Sequence, residues 1–274
     1  MAPGTKKAGD DGGAQPEQRQ LLPPPPPSAS LATAQTLCSS VTFFPVLALQ
    51  RLLQCFGYSH AVTLQSGRTV AVGAELAQGG YAVVYSARDT RTGEAFALKK
   101  LLCQSAEQVA LARHEIQTLT ALAHPHIMPL ADYAVVSVGA STFEYYLLFP
   151  FMQNGTLREM IDGALSRRSR IPETQILDLF LKICRAVSEL HAKTPPLAHR
   201  DIKPENVLLS DDFEPLLTDF GSVEVADVRI VKRADALRLQ ERAAQMSSMP
   251  YRAPELYDAP DNAHITSRTD AQPA

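Results

Sequence analysis

Three side chains in the second half of this 274-residue chain, Asp201, Asn206 and Asp219, are of the types that hold a divalent cation and activate a hydroxyl. Asp201 lies within His199-Arg200-Asp201-Ile202-Lys203-Pro204-Glu205-Asn206, and Asp219-Phe220-Gly221 begins thirteen residues beyond the asparagine. Delivery of a phosphoryl group to a hydroxyl needs a carboxylate to orient that hydroxyl and oxygen ligands to hold metal ions. Asp201 suits the first task, and Asn206 and Asp219 suit the second. Lys203, two residues after Asp201, can offset charge on a phosphate. A packed His199 or a turn at Asp219 would explain each residue singly, but not their joint order with Ala253-Pro254-Glu255.

Such groups act only if other elements position them. Around Leu76-Ala77-Gln78-Gly79-Gly80-Tyr81-Ala82-Val83-Val84, two short strands (Val70 to Leu76 and Val83 to Ala87) are expected, joined by a glycine-containing turn. After the turn Thr92-Gly93-Glu94, residues Ala95 to Lys100 alternate like a half-buried strand, with Ala97 and Lys99 on one face and Lys100 on the other. Ser105 to Ala123 carries Val109, Ala112, Ile116, Leu119 and Leu122 at helical spacing. Glu115 shares the Leu119 face and is the expected holder of Lys99, with Glu107 in the first turn as the alternative. His124-Pro125-His126 ends that helix and, without further close ligands, reads as a loop rather than a metal site. Tyr145 to Met152 reads as a buried strand entering an extended linker before Gly155-Thr156-Leu157. Glu173 to Lys193 is amphipathic, with Ile176, Leu179, Phe180, Ile183, Val187 and Leu190 on one face and Pro172 just ahead. Asp235 to Gln245 has strong helix formers and no breaker.

With these motifs in this order, residues 67 to 270 resemble a protein kinase catalytic domain. The resemblance implies an α+β, bilobal fold. Residues 67–152 would form an N-lobe of antiparallel sheet plus one helix, with the hinge, and 153–274 a mostly helical C-lobe. It implies ATP and Mg2+ as cofactors and Ser/Thr hydroxyls of proteins as substrates, the Lys203 form of the loop being the serine/threonine one. Lys99 and Glu115 would orient the phosphates, and Asp219 and Asn206 would hold Mg2+. Asp201 would take the substrate proton and Lys203 would steady the transferred group. Leu76, Gly79, Gly80, Val84, Ala97, Phe151 and Met152 would surround the nucleotide, with Phe149 at the back of its pocket. Ala77 and Ala82 depart from the glycine pattern, and a Cβ there would restrict positive φ and hold the backbone away from the phosphates.

Asp219 to Glu255 is thirty-six residues, long for an activation segment. Its expected helix, followed by Tyr251-Arg252-Ala253-Pro254-Glu255-Leu256, resembles the Numb-associated kinase family, including its myristoylated and palmitoylated members, as do Leu102-Cys103 and Ile183-Cys184-Arg185. Ser248 matches the residue that bonds the catalytic aspartate, and Ser247 and Ser248 are candidate phosphorylation sites with Arg200 as a partner for the added charge. Asp270 matches the aspartate that opens the central C-lobe helix. The resemblance therefore implies a C-lobe cut short there, with one face of the 173–193 helix uncovered and Glu255 unpaired. An inactive, nucleotide-binding or interaction scaffold is the alternative to an active enzyme.

Residues 1–36 read as a disordered Pro-rich extension in which Pro23-Pro27 forms a polyproline rod, an SH3 or WW ligand or a plain spacer. Residues 37–66 read as an apolar linker. Val41 to Phe56 is too short and interrupted to span a membrane, although weak membrane contact is open to it. Met1-Ala2-Pro3 offers no myristate acceptor, and Cys55 is either a palmitoylation site or structural. Four cysteines without a C-x-x-C pair and no secretory h-region fit a reducing cytoplasmic setting, peripheral to a membrane at most. A net charge of −3 without a basic run argues against a nucleic-acid partner.

Overall fold

The computed structural model describes residues 60–79 and 82–271. The expectations for residues 1–36, Pro23-Pro27, Val41 to Phe56, Cys55 and Gly80 lie outside them. Six antiparallel strands come first: β1 (His60–Thr63), β2 (Thr69–Gln78), β3 (Ala82–Asp89), β4 (Ala95–Cys103), β5 (Asp132–Ser137) and β6 (Phe143–Pro150), in the order β1-β2-β3-β4-β6-β5. The sheet thus begins at His60, ahead of the boundary at 67 drawn from the sequence. The short His60-Ala61-Val62-Thr63 run gave too little alternation to separate it from the apolar stretch before it.

One face of the sheet buries Val62, Leu64, Val70, Val72, Phe96, Leu98, Tyr146 and Leu148. On the other, Tyr145 and Leu147 pack with Ile116 and Leu119 of helix α1 (Ala106–Ala121). That helix is fixed at its start by a reciprocal cap, in which the Ser105 hydroxyl accepts from the Gln108 N–H and the Gln108 side chain accepts from the Ser105 N–H. The same core reaches Leu190, Val207, Leu217 and Phe220, so α1 rests on the elements that carry the Asp219 triplet.

Beyond the sheet, α2 (Leu157–Ser166) begins with a Thr156–Glu159 capping box. Gly155 just before it has φ +66, so the backbone calls for glycine, and a Cβ there would also push the Glu159 carboxylate out of its capping position. Helix α3 (Glu173–His191) follows, then the short strands β7 (Leu197–Ala198), β8 (Val207–Leu209), β9 (Pro215–Leu217), β10 (Glu224–Val225) and β11 (Val228–Arg229). Helix α4 (Arg233–Met246) is the one expected inside the long segment. It buries Ala236, Leu239 and Ala243, the alanines small enough for close approach, against Leu256 of α5 (Pro254–Tyr257) and Ile265 of β12 (His264–Ile265).

On α3, the apolar face read from spacing is divided. Leu179, Ala186 and Leu190 are buried, whereas Phe180 is 64% exposed and Ile176, Leu177 and Leu181 are exposed beside it. Among the described residues nothing covers that side.

Asp270, in a short turn of 3-10 helix (Ser267–Asp270), ties the end of this part of the chain to the middle. Its wholly buried carboxylate accepts from the His199 N–H (2.8 Å) and the Arg200 N–H (2.7 Å), and His191 Nε2 lies 2.9 Å away. Asp270→Ala orphans these buried donors, each worth about 1–3 kcal/mol. The expected result is a loss of about 3 kcal/mol or more in a urea titration, and a midpoint unchanged from the parent would contradict the role assigned to this carboxylate.

Candidate active site

Strand pairing sets Val84 opposite Lys99, and Lys99 opposite Leu147, which brings the lysine to the middle of the sheet on its α1 side. There Lys99 Nζ donates to Glu115 Oε1 at 2.8 Å and to Asp219 Oδ1 at 2.9 Å. Glu115, not Glu107, is the partner. Glu115 is buried on α1 and Glu107 is exposed in its first turn. Burial works to lower the pKa of Lys99, but the Asp219 and Glu115 carboxylates outweigh it and hold the ammonium well above its ordinary range. Reciprocally, the Lys99 ammonium brings Asp219 down to about 2 against the opposing effect of burial. Lys100 points the other way, as its alternation required, and pairs with Glu144 at 2.7 Å over the Tyr146 ring.

The residues of the 199–206 loop are equally constrained. Asp201 is buried and both of its oxygens are in use, Oδ1 by the Ser248 N–H (2.7 Å) and Oδ2 by Lys203 Nζ (2.9 Å) and Asn206 Nδ2 (3.0 Å). Asn206 Nδ2 also donates to the Asp201 carbonyl at 2.8 Å, and the Thr218 N–H donates to the Asn206 carbonyl at 2.9 Å, linking the loop to the residue before Asp219. His199 is wholly buried and sets its ring edge-on to Phe220, with Nε2 3.1 Å from the Thr218 carbonyl. Arg200 and Asp219 both take left-handed backbone conformations, at φ 64 and 61. Non-glycine residues hold such angles at a cost, and that strain collects at functional sites.

The residues expected around the nucleotide lie on β2, β3, β4 and the stretch after β6. Val84 and Ala97 lie half-buried on β3 and β4, with Ala97 opposite Phe149, and Met152 and the partly exposed Phe151 follow β6. Leu76 sits within a register shift of β2, so simple alternation does not govern its direction, and it is about half exposed. The Gly79 N–H closes the turn onto the Ala82 carbonyl at 2.8 Å. The expected conformational penalty at Ala77 and Ala82 does not arise. Both are extended strand residues without positive φ, so neither position requires glycine.

One expectation about the segment 219–255 holds and one needs correction. Ser248 bonds Asp201, through its N–H, and its hydroxyl accepts from Lys203 at 2.5 Å. The base facing Ser247 is Arg252, whose Nε donates to the hydroxyl at 2.9 Å and whose Nη2 donates to the carbonyl at 2.8 Å. Arg200 is engaged elsewhere, by Glu224 Oε2 at 2.6 Å and the Val225 carbonyl at 3.0 Å. Sequence reasoning missed Glu224, because only the pairing of β10 with β7, Glu224 opposite Ala198, carries it to the 199–206 loop. Its other oxygen accepts from Arg242 Nε of α4 at 2.6 Å, so one carboxylate joins that loop to α4. Burial lowers the pKa of Arg200, while Glu224 and Asp270 oppose that shift.

Glu224→Gln should therefore weaken the segment. Breaking one side of a buried pair costs about 3–5 kcal/mol, and the partial exposure of Glu224 puts the expected loss at or below the lower figure. Hydrogen exchange should speed up in β10 and α4 while β4 and α1 stay protected. Unchanged exchange in α4 would contradict the link.

The chain matches the model of the protein kinase domain over residues 70–271. It belongs to the protein kinase family. This kinase is 37% identical over 196 residues to serine/threonine-protein kinase 16 of Rattus norvegicus, a match that covers 72% of the chain and 63% of the relative. Identity with a probable serine/threonine-protein kinase of Dictyostelium discoideum is 31% over 259 residues, covering 71% and 70%. Serine/threonine-protein kinase sel-5 of Caenorhabditis elegans is 30% identical over 214 residues, which make up 20% of that protein. The chain therefore spans less than two thirds of the rat relative's length.

Among the described residues no group of three or more His, Cys, Asp or Glu side chains is gathered for a metal. The donors that fit a hard cation are Asp219, half exposed, and Asn206, whose Nδ2 is committed to Asp201 while its amide oxygen remains an available acceptor. His126 Nδ1 lies 3.2 Å from the Pro215 carbonyl, and His124 Nδ1 accepts from the His126 N–H. No helix of the described residues is long and apolar enough to cross a membrane.

Proposed function

We propose that this chain is a serine/threonine protein kinase that moves the γ-phosphoryl group of Mg-ATP to Ser or Thr hydroxyls of proteins. The observation that carries the reading is the closed set of contacts at Lys99, with Glu115 at 2.8 Å and Asp219 at 2.9 Å, beside a buried Asp201 whose carboxylate is fixed by three donors. Asn206 and Asp219 would hold Mg2+ and Lys99 would hold phosphate oxygens. Bound Mg-ATP supplies the transferable group and the positive charge that offsets its oxygens. The protein's own part is positioning. Asp201 orients the acceptor hydroxyl and takes its proton, Lys203 places an ammonium between Asp201 and Ser248 where charge gathers, and Glu115 keeps Lys99 from swinging away. The backbone after β6 would meet the base, with Val84, Ala97, Leu76 and Met152 as its apolar walls.

The helix α4 inside the activation segment supports placement among the Numb-associated kinases. Cysteine usage supports a cytoplasmic setting, peripheral to a membrane if Cys55 is acylated, and Pro23-Pro27 would serve as a plain spacer or as an SH3 or WW ligand. The exposed α3 face around Phe180 favours one second reading, an interaction scaffold without turnover. Transfer of labelled γ-phosphate from Mg-ATP to a generic Ser/Thr protein, beside an Asp201→Asn control, separates the two. Label only in the parent supports the kinase, and no label in either folded protein supports the scaffold.

A further inference from the structure

The outer face of the N-lobe sheet, away from α1, is covered at one end and open at the other. Val62 and Leu64, within and just after β1, share a core with Leu98, Leu148, Tyr146 and Ala134. Along β4, β5 and β6 the next residues on that face are Leu102, Val136 and, between them, Glu144, since Leu102 pairs with Glu144 and Glu144 with Val136. Leu102 is 45% exposed and Val136 is 40% exposed, and Val138 just beyond β5 is also exposed. Exposed apolar neighbours on a strand face commonly mark a contact surface.

The chain enters this face at His60. The Gln65 N–H donates to the Tyr133 carbonyl at 2.8 Å and the Ser66 hydroxyl donates to Asp132, which pins the chain after β1 to the start of β5; running back through Val62, in one core with Ala134 and Tyr146, brings His60 toward the Val136 end of that strand. The chain upstream of His60 therefore starts next to the Leu102–Val136 row. Phe56 is four residues before His60, a tether that reaches at most about 14 Å. Leu49, Leu52, Leu53 and Phe56 recur at intervals of three, one and three, the spacing that gathers apolar side chains on one helical stripe.

We propose that the stretch 49–56 of this chain docks on the outer sheet face through Leu49, Leu52, Leu53 and Phe56, covering Leu102 and Val136. The proposal does not depend on catalytic competence. It makes the approach to the domain part of the N-lobe and gives Leu102 and Val136 an apolar environment that the described residues do not supply.

A double-substitution cycle in the full 274-residue chain tests it, read by thermal midpoint. Leu53→Asp and Leu102→Asp should each lower the midpoint by about 3 °C or more, and together by no more than the larger single effect. Gln54→Asp, off the stripe, should leave it unchanged. Val136→Asp repeats the cycle should Leu102→Asp fail to fold. Additive losses, or no loss in Leu53→Asp, overturn the proposal. A coupled loss that grows with protein concentration also overturns it and assigns the face to a second copy. Flotation with phosphatidylserine vesicles that is abolished by Leu53→Asp, with the midpoint unmoved, assigns the stretch to lipid instead.

Discussion

Asp201→Asn should lower kcat by about 100- to 10,000-fold, the contribution typical of a positioned general base, and leave KM for Mg-ATP nearly unchanged. The carboxylate accepts three hydrogen bonds, one at Oδ1 from the Ser248 N–H and two at Oδ2 from Lys203 and Asn206. An amide in its place has one acceptor oxygen. Whichever way it turns, its NH2 group meets a donor, so the cost is expected to include about 1–3 kcal/mol of stability. The substitution also removes the group able to take the hydroxyl proton. Lys99, Glu115 and Asp219 are untouched, which is why nucleotide affinity should persist. Steady-state kinetics with an ATP titration, together with a urea midpoint, separates these effects. A kcat within about threefold of the parent would remove Asp201 from the chemistry, and a large rise in KM with kcat retained would mean that it serves binding instead.

Much of this site was legible because its chemistry is encoded locally. The spacing from Asp201 to Asn206 is closed by a single turn, Pro204–Asn206, so sequence distance translates directly into the 3.0 Å contact. Alternation along β4 correctly separated Lys99 from Lys100, and helical spacing correctly put Glu115 on the face shared with Leu119. What the sequence hid depends on long-range pairing. Glu224 meets Arg200 only because β10 lies antiparallel to β7, two-residue strands too short to show a period. The same blindness misassigned Arg200 to Ser247 and Ser248, where Arg252 and Lys203 respectively are the bases in contact. On α3 the periodicity identified an apolar stripe but could not say how much of it has a neighbour, and Phe180 remains open to solvent. Periodicity reports which side chains seek burial, and only packing decides which find it.

Lys99→Met is expected to damage both activity and stability, and its signature is its pH dependence. Without the ammonium, phosphate oxygens lose their fixed cation, and a misplacement of about 1 Å already costs on the order of 100-fold in rate, so kcat/KM should fall at least that far. For stability, the ammonium lies between two carboxylates, 2.8 Å from Glu115 and 2.9 Å from Asp219. Removing it leaves like charges facing each other, one of them buried, at a cost of about 3–5 kcal/mol at neutral pH. Asp219 is half exposed to the cleft, so solvent screening puts the expected loss near roughly 3 kcal/mol. In the parent, Asp219 is depressed from 3.8 to about 2. A depressed acid contributes stability that is present above its unfolded pKa and lost as pH falls through the folded one. The parent should therefore lose this contribution between roughly pH 4 and 2. The variant never had it and, by taking up a proton on its unpaired carboxylates, should instead gain relative to neutral pH as acid is added. Urea midpoints at about pH 7, 5 and 3 should show the gap between the two proteins narrowing toward acid. A gap of constant size would mean that Lys99 stabilises the fold through its packed methylenes rather than its charge.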